Sequence, residues 1–217
     1  MSIQKKHQRG FTLIEIAIVL VIIGLLIGGV LKGQELIYNQ KVKSTYDAYR
    51  QYTAAMYGYQ DRYRALPGDD ANATTRGFVV AAGDPLIANG NGNGSIAGGG
   101  NQCATAAATT GIEVCQANYQ LRLAGFLSGQ GTRSATHPFG GVVTLDAPAP
   151  QVAGFTPQTA ICWFSLTNKA AQQIDTSYDD GRALTGSMRG NGDYTAAMTA
   201  ATPLPDAITA TWSCMSN

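Results

Sequence analysis

Charge is scarce in this chain of 217 residues and nearly balanced, with 15 Lys and Arg against 14 Asp and Glu. Nucleic-acid-binding domains usually carry a strongly basic face, so this balance gives no support to nucleic acid as a partner. Histidine is almost missing: His7 and His137 are the two in the chain. With no Cys-x-x-Cys pair either, a zinc site has no sequence support. No Gly-x-Ser-x-Gly elbow and no phosphate-binding glycine loop occurs, which removes the common signatures of hydrolases and nucleotide-binding enzymes. His137 has no nucleophile motif beside it and reads as structural. Proline is absent until Pro67, so nothing before it forces a helix to stop.

What is present begins with Phe11 to Leu31, 21 residues whose hydrophobicity is broken only by Thr12 and Glu15. A helix of that length rises roughly 30 Å, the thickness of a bilayer's hydrocarbon core. The segment before it carries Lys5, Lys6 and Arg9 and no acid, so the positive-inside tendency keeps this end cytoplasmic and exports the rest. Secretory signals place a small-residue cleavage site after the apolar segment, whereas the small residue here, Gly10, precedes it. A cut at Gly10 leaves the apolar segment on the mature protein. Glu15 is the second departure from an ordinary anchor, because an ionised carboxylate in lipid is costly unless it finds a partner. After such a cut the new amino group of Phe11 lies four residues away. The same amine on a neighbouring subunit is an equally good partner, and that pairing would set the stagger between chains.

Gly10-Phe11-Thr12-Leu13-Ile14-Glu15 behind a short basic leader resembles the type III signal of the type IV pilin superfamily, which includes major and minor pilins and the pseudopilins of type II secretion. The resemblance implies cleavage after Gly10 by a prepilin peptidase, N-methylation of Phe11 and use of Glu15 in filament assembly. A plain single-span anchor accounts for the apolar length, but not for the glycine ahead of it or the acid within it.

Helical periodicity continues past Leu31. Tyr38, Val42, Thr45, Tyr49, Tyr52, Met56, Tyr59 and Tyr63 recur at steps of three and four, one stripe of a helix. The expected helix runs from near Phe11 to about Arg64, apolar in its first half and amphipathic in its second. Its tyrosines are expected to pack under a sheet with their phenol ends reaching water. Gly24, Gly28, Gly29 and Gly33 lie within it; they suit either close packing between helices or a segment that unwinds on leaving the bilayer.

Leu66-Pro67-Gly68-Asp69-Asp70 is a turn cluster, after which Phe78-Val79-Val80 is expected to be the most ordered stretch before Gly111. Asn89-Gly90-Asn91-Gly92-Asn93-Gly94-Ser95-Ile96 follows the start of an EF-hand calcium loop, but its ligands are neutral amides and Gly100 stands where the closing glutamate belongs. A flexible turn is the better reading. Ile112 to Leu127 reads as a helix ended by Gly129 and Gly131, Val142 to Leu145 and Ala160 to Leu166 as strands, and Ala207 to Ser213 as a last strand. Asn168 is expected to cap a helix over Lys169 to Ile174. Asp175, Asp179, Asp180 and Asp193 are weak calcium candidates, with solvated turn carboxylates the favoured alternative, and no other cofactor is indicated.

Four cysteines in an exported domain favour disulfides. Proximity suggests Cys103 with Cys115 and Cys162 with Cys214, although four cysteines admit three connectivities. The resemblance also points to a disulfide-closed C-terminal region.

The expected fold is thus α+β, the pilin fold: a long N-terminal helix, half transmembrane and half amphipathic, packed on an antiparallel sheet. The divisions are 1–10 as leader, 11–37 as membrane and filament-core helix, and 38–217 as exported domain. The function expected is a structural subunit of a type IV pilus filament, with adhesion, motility or DNA uptake as its roles. A minor pilin or a type II secretion pseudopilin is the alternative within the same mechanism; a membrane-anchored enzyme or binding module is the alternative outside it. The resemblance implies as partners other pilin subunits, the prepilin peptidase and an inner-membrane assembly machinery. It places the chain in the inner membrane before assembly and in an extracellular filament or periplasmic pseudopilus afterwards.

Overall fold

The computed structural model describes residues 12–80, 87–96, 103, 112–129, 131, 133–146, 159–190 and 211–216. Helix α1 spans Leu13–Tyr63, 51 residues without a break, and no proline interrupts it. At 1.5 Å per residue it rises about 75 Å. The chain divides into two units, Met1–Gln40 and Lys41–Asn217, and α1 contributes to both.

In the first unit the apolar side chains from Leu13 to Leu31 are exposed. The helix carries a window of mean hydropathy 2.9 with none of it buried, long and apolar enough to cross a membrane. Lys32 and Glu35, which pair at 2.7 Å, are the first charged residues after the apolar run.

The second unit is an α+β, pilin-like arrangement. From Lys41 onward α1 buries Val42, Thr45, Tyr52, Ala55, Met56 and Tyr59, most of the stripe that periodicity marks out. A short 3₁₀ turn at Ala73–Thr75 precedes helix α2, Glu113–Leu123. Strands β1 (Ala135–Thr136), β2 (Val142–Asp146) and β3 (Ala160–Leu166) follow, then helix α3 (Asn168–Tyr178) and strands β4 (Met188–Gly190) and β5 (Thr211–Ser216). The five strands form one antiparallel sheet in the order β1-β2-β3-β5-β4. β2 is buried along its whole length and β3 along most of its own, which fits apolar strands inside a sheet. Trp163 of β3 is fully buried and donates its indole N–H to the Thr45 carbonyl of α1 at 3.1 Å, joining sheet to helix.

The disulfides are Cys103–Cys115 and Cys162–Cys214. The first joins Cys103 to α2. The second links residues paired directly across β3 and β5, closing a 52-residue separation, a constraint worth about 2–4 kcal/mol.

Several local expectations are corrected. α2 stops at Leu123 rather than Leu127, because Gly125 takes φ +81° and lets the Phe126 and Leu127 N–H groups bond back to the Leu121 carbonyl. α3 is capped by Thr167, not Asn168: the Thr167 side chain accepts the Ala170 N–H at 3.3 Å, and the helix runs on to Tyr178. Phe78 to Val80 forms no regular element, and Val79 is 87% exposed. Phe78 instead sets its ring edge-on to Tyr63 at 5.5 Å. The last strand extends beyond Ser213 through Cys214 to Ser216, and Ala207 to Ala210 lie outside the described residues.

The tyrosines differ from expectation in one chemical respect. The hydroxyls of Tyr52 and Tyr59 do not reach for water: Tyr52 donates to Asn118 Oδ1 at 2.8 Å and Tyr59 to Asp70 Oδ2 at 2.9 Å, both buried. A buried phenol needs such a partner, and α2 supplies two, Asn118 to Tyr52 and Gln120 to Tyr59 at 3.4 Å.

His137 is buried in the turn before β2. Its Nδ1 accepts the Phe139 N–H at 3.3 Å, so Nε2 carries the proton and donates to the Phe164 carbonyl at 3.0 Å. Burial lowers its pKa, against the opposing effect of the Phe164 carbonyl, and the neutral ring acts as a bracket between turn and β3.

Candidate functional site

The residues Thr12 to Leu31 are the first candidate, and their geometry starts at the helix end. Thr12 and Glu15 form a reciprocal cap. Glu15 Oε2 accepts the Thr12 N–H at 2.9 Å and the Thr12 hydroxyl at 2.8 Å, while Thr12 Oγ1 accepts the Glu15 N–H at 3.3 Å. This is the capping box, in which two donors that a helix start leaves unsatisfied are met by side chains three residues apart. The sequence carries its signal, Thr-x-x-Glu before an apolar run. The carboxylate is therefore held at the head of the apolar segment within its own chain. Gly10 and Phe11, the expected processing residues, lie outside the described residues.

Below the cap, the Ile, Leu and Val side chains are exposed among the described residues. A Cβ added at Gly24, Gly28, Gly29 or Gly33 would find no atom within 4 Å. The four glycines sit in continuous helix. An apolar surface this long, on every side of a helix, needs lipid or other helices around it.

The second candidate is the loop Asn89 to Ile96. Its chemistry is the reverse of a calcium loop. Asp69, buried in the preceding turn, accepts the Asn93 N–H on Oδ1 at 3.0 Å and the Gly94 N–H on Oδ2 at 2.7 Å, and its carbonyl accepts the Gly92 N–H at 3.1 Å. Gly92 and Gly94 both have positive φ, the alternation that turns successive N–H groups inward to form an anion nest. The asparagine oxygens, the supposed ligands, are also bonded: Asn89 Oδ1 accepts the Thr74 N–H, Asn91 Oδ1 the Asn93 N–H, and Asn93 Oδ1 the Ser95 N–H. The loop is ordered by these bonds rather than being a loose turn. Glu113 adds a further acceptor for the Asn91 N–H at 3.0 Å, and Gln116 and Gln120 bond both polar groups of Ala88. The polar row of α2 thus serves the loops packed beside it.

Asp70, next to Asp69, is 1% exposed and pairs with Arg76 through two nitrogens, Nε at 3.0 Å and Nη2 at 3.1 Å. Burial works against its ionisation, but the bonds from Arg76, the Asn72 N–H and the Tyr59 hydroxyl prevail and hold its carboxyl below the ordinary carboxylate value. Tyr59 is pushed the other way, first by burial and then by the neighbouring carboxylate. A cleft of about 540 Å³ beside this pair is lined by residues including Gln60, Arg64, Asp69, Asp70 and Arg76, with no Ser, Cys, Lys or His among them.

The third candidate is the acidic group after α3. The structure brings Asp175, Asp179 and Asp180 together, with one oxygen of each within 4.8 Å of the others. Asp193 lies outside the described residues. The three are already engaged as turn acceptors: Asp175 Oδ1 takes the Gly181 N–H at 2.8 Å, Asp179 Oδ2 the Met188 N–H at 2.7 Å, and Asp180 Oδ1 the Arg182 N–H at 2.9 Å. Asp180 is held below the ordinary carboxylate value by the Thr185 hydroxyl, then by the Arg182 N–H and nearby arginines.

Comparison with known proteins agrees with the first candidate. Residues 5–31 match the family described as Prokaryotic N-terminal methylation motif, the signature of type IV pilins and pseudopilins. No curated protein and no solved structure matches the chain. The match is confined to residues 5–31; that motif supports a type IV pilin- or pseudopilin-like protein and suggests a structural rather than an enzymatic role. In general the motif implies processing by a prepilin peptidase and assembly into polymers, and with the apolar helix it fits membrane anchoring before assembly.

Proposed function

We propose that this protein is a structural subunit of a type IV pilus filament, held in the inner membrane by α1, trimmed after Gly10, methylated on Phe11 and polymerised through the apolar half of the helix. The observation that carries the reading is the pairing of a methylation motif at residues 5–31 with apolar side chains from Leu13 to Leu31 that are exposed among the described residues. Other copies of the same helix would cover them. Glu15 is the assembly residue in this reading. Its cap bonds orient the carboxylate at the helix head, from which it reaches the amine of Phe11 on a neighbouring subunit and fixes the axial stagger. Residues 38–217 would then face outward, where adhesion, motility or DNA uptake would be carried out.

The test is mass spectrometry of the N-terminus of protein sheared from the cell surface. A peptide beginning at N-methylated Phe11, abundant in that fraction, is the expected result. The processed peptide in membranes alone would turn the assignment to a minor pilin or pseudopilin. An intact Met1 leader would reduce the segment to a simple anchor.

A further inference from the structure

Three of the chain's four Asn-Gly pairs, Asn89-Gly90, Asn91-Gly92 and Asn93-Gly94, lie in the loop around Asp69. Asn-Gly is the dipeptide most open to deamidation, since glycine leaves its amide nitrogen unshielded. In that reaction the glycine nitrogen attacks the asparagine Cγ, and the bond from Cγ to the side-chain nitrogen breaks. Ammonia leaves carrying the proton the backbone nitrogen gives up. Water then opens the succinimide at either carbonyl, giving aspartate or isoaspartate. Water is the only co-reactant.

Asn89, Asn91 and Asn93 are exposed, so water has access to all three. Their following nitrogens are nonetheless committed. Gly90 donates its N–H to the Asp70 carbonyl at 3.0 Å, Gly92 to the Asp69 carbonyl at 3.1 Å, and Gly94 to the Asp69 carboxylate at 2.7 Å. The asparagine side chains are bonded through their oxygens to the N–H groups of Thr74, Asn93 and Ser95. Attack requires the glycine nitrogen to lose its proton and turn toward Cγ, and a hydrogen bond to the Asp69 carbonyl, for Gly92, or to its buried carboxylate, for Gly94, opposes both.

We propose that Asn91 and Asn93 are latent deamidation sites that Asp69 holds closed, and that each conversion, irreversible because ammonia is lost, leaves a charge that keeps the clamp from closing again. Each conversion places a new carboxylate beside Asp69 and Asp70, and near Glu113, which accepts the Asn91 N–H. The nest that held one anion then faces several, and like charges at such range repel. A filament outside the cell has no ready means of replacing its subunits, so a clamp on this reaction is a durability device. The clamp itself is independent of whether the filament is a pilus or a pseudopilus, while its value as a durability device rests on the proposed extracellular filament.

The experiment follows Asn91 and Asn93 by peptide mapping of the full-length chain in detergent micelles at mildly alkaline pH, folded and in urea. The expected result is that the folded chain deamidates at both sites at least about tenfold more slowly than the unfolded one, because local opening must come first. Equal rates would overturn the proposal. Asp69→Asn should raise the folded-state rate more at Asn93, whose Gly94 N–H loses its carboxylate acceptor, than at Asn91, whose Gly92 N–H keeps the backbone carbonyl, and an unchanged rate at Asn93 in a folded Asp69→Asn chain would remove the Asp69 carboxylate from the argument. Should that variant fail to fold, the comparison of folded and unfolded wild type still decides. The failure to close again is tested by the double variant Asn91→Asp/Asn93→Asp, whose Gly92 and Gly94 amides should exchange hydrogen faster than in wild type. Unchanged exchange overturns that half.

Discussion

α1 is one helix with two opposite uses of its side chains. From Leu13 to Leu31 it is apolar on every side and its side chains are exposed, while from Lys41 to Tyr63 it hides a stripe that includes Thr45, Tyr52 and Tyr59. Judged by hydropathy alone, the first half would be the core and the second the surface. The difference shows that burial follows from what is available to cover a residue. The second half has a sheet and a polar helix to cover it and supply partners for its hydroxyls. Among the described residues the first half has only its own cap, and its surface is left for lipid or other chains to cover.

The strongest way to break this comparison is at Glu15, the one acid in the apolar half. Glu15→Ala should leave a processed, membrane-held protein that does not enter filaments, with the stability of residues 41–217 unchanged. Glu15→Gln separates two roles, because an amide oxygen can still accept the Thr12 bonds but carries no charge. Loss of filaments with Gln as well as Ala assigns the effect to charge pairing; normal filament yield from the Ala variant would overturn the role of Glu15 altogether.

The matching experiment in the other unit is at Asp70 and Arg76. Arg76→Met leaves the buried Asp70 carboxylate without its cation, which should cost about 2–3 kcal/mol, reduced from the fully buried case because Arg76 is partly exposed. Urea unfolding measures it, and filament entry should survive if enough protein stays folded. The pH dependence has a definite sign. Asp70 has a folded-state pKa below its ordinary 3.8, so its contribution is fully present above that value and is lost as pH falls through the lower folded value. Asp70→Asn should flatten this acid loss, and an unchanged acid slope would mean that another carboxylate causes it.

Much of this contrast can be traced to particular residues in the sequence. The lack of proline before Pro67 and the three-four spacing of aromatic and apolar residues predict the long helix, and the apolar and aromatic run from Ala160 to Leu166, broken only by Ser165, predicts β3 at its observed bounds. Thr12-x-x-Glu15 was equally legible as a cap. The Asp69 nest was not, because a carboxylate 24 residues before Asn93 leaves no periodic trace, and an Asn-Gly repeat looks alike whether its oxygens hold a cation or its nitrogens hold an anion. The choice of Thr167 over Asn168 as a cap was close for a similar reason: both residue types cap well, and the approach of the chain from β3 decides between them.

A smaller effect compares the same substitution in the two halves. Gly58 lies against Phe126, whose ring would come within 2.7 Å of an added Cβ, whereas Gly28 and Gly29 face open space. Alanine at Gly28 and Gly29 should stabilise the helix by about 1 kcal/mol at each position. Gly58→Ala should lose about 1 kcal/mol overall, as displacement of the ring outweighs the gain in propensity. In filaments, alanine at Gly28 and Gly29 should raise bending stiffness, and unchanged stiffness in single-filament imaging would count against a melting role for these glycines.

The smallest effect expected is that of calcium. A site loaded to a hundred times its dissociation constant would stabilise the fold by about 2.7 kcal/mol. For a domain of this size that corresponds to roughly 5–10 °C in Tm, a shift easily measured. Asp175, Asp179 and Asp180 have the charge for such a site, yet each spends an oxygen on an N–H donor of its own loop, and a cation would have to share or displace those bonds. Acids used in this way complete a turn by themselves. Changing from millimolar calcium to a chelator should therefore move Tm by less than about 1 °C. A shift of several degrees, abolished by Asp180→Asn, would make this loop a metal site and leave Asp69, closed by its nest, as the contrasting acid that needs none.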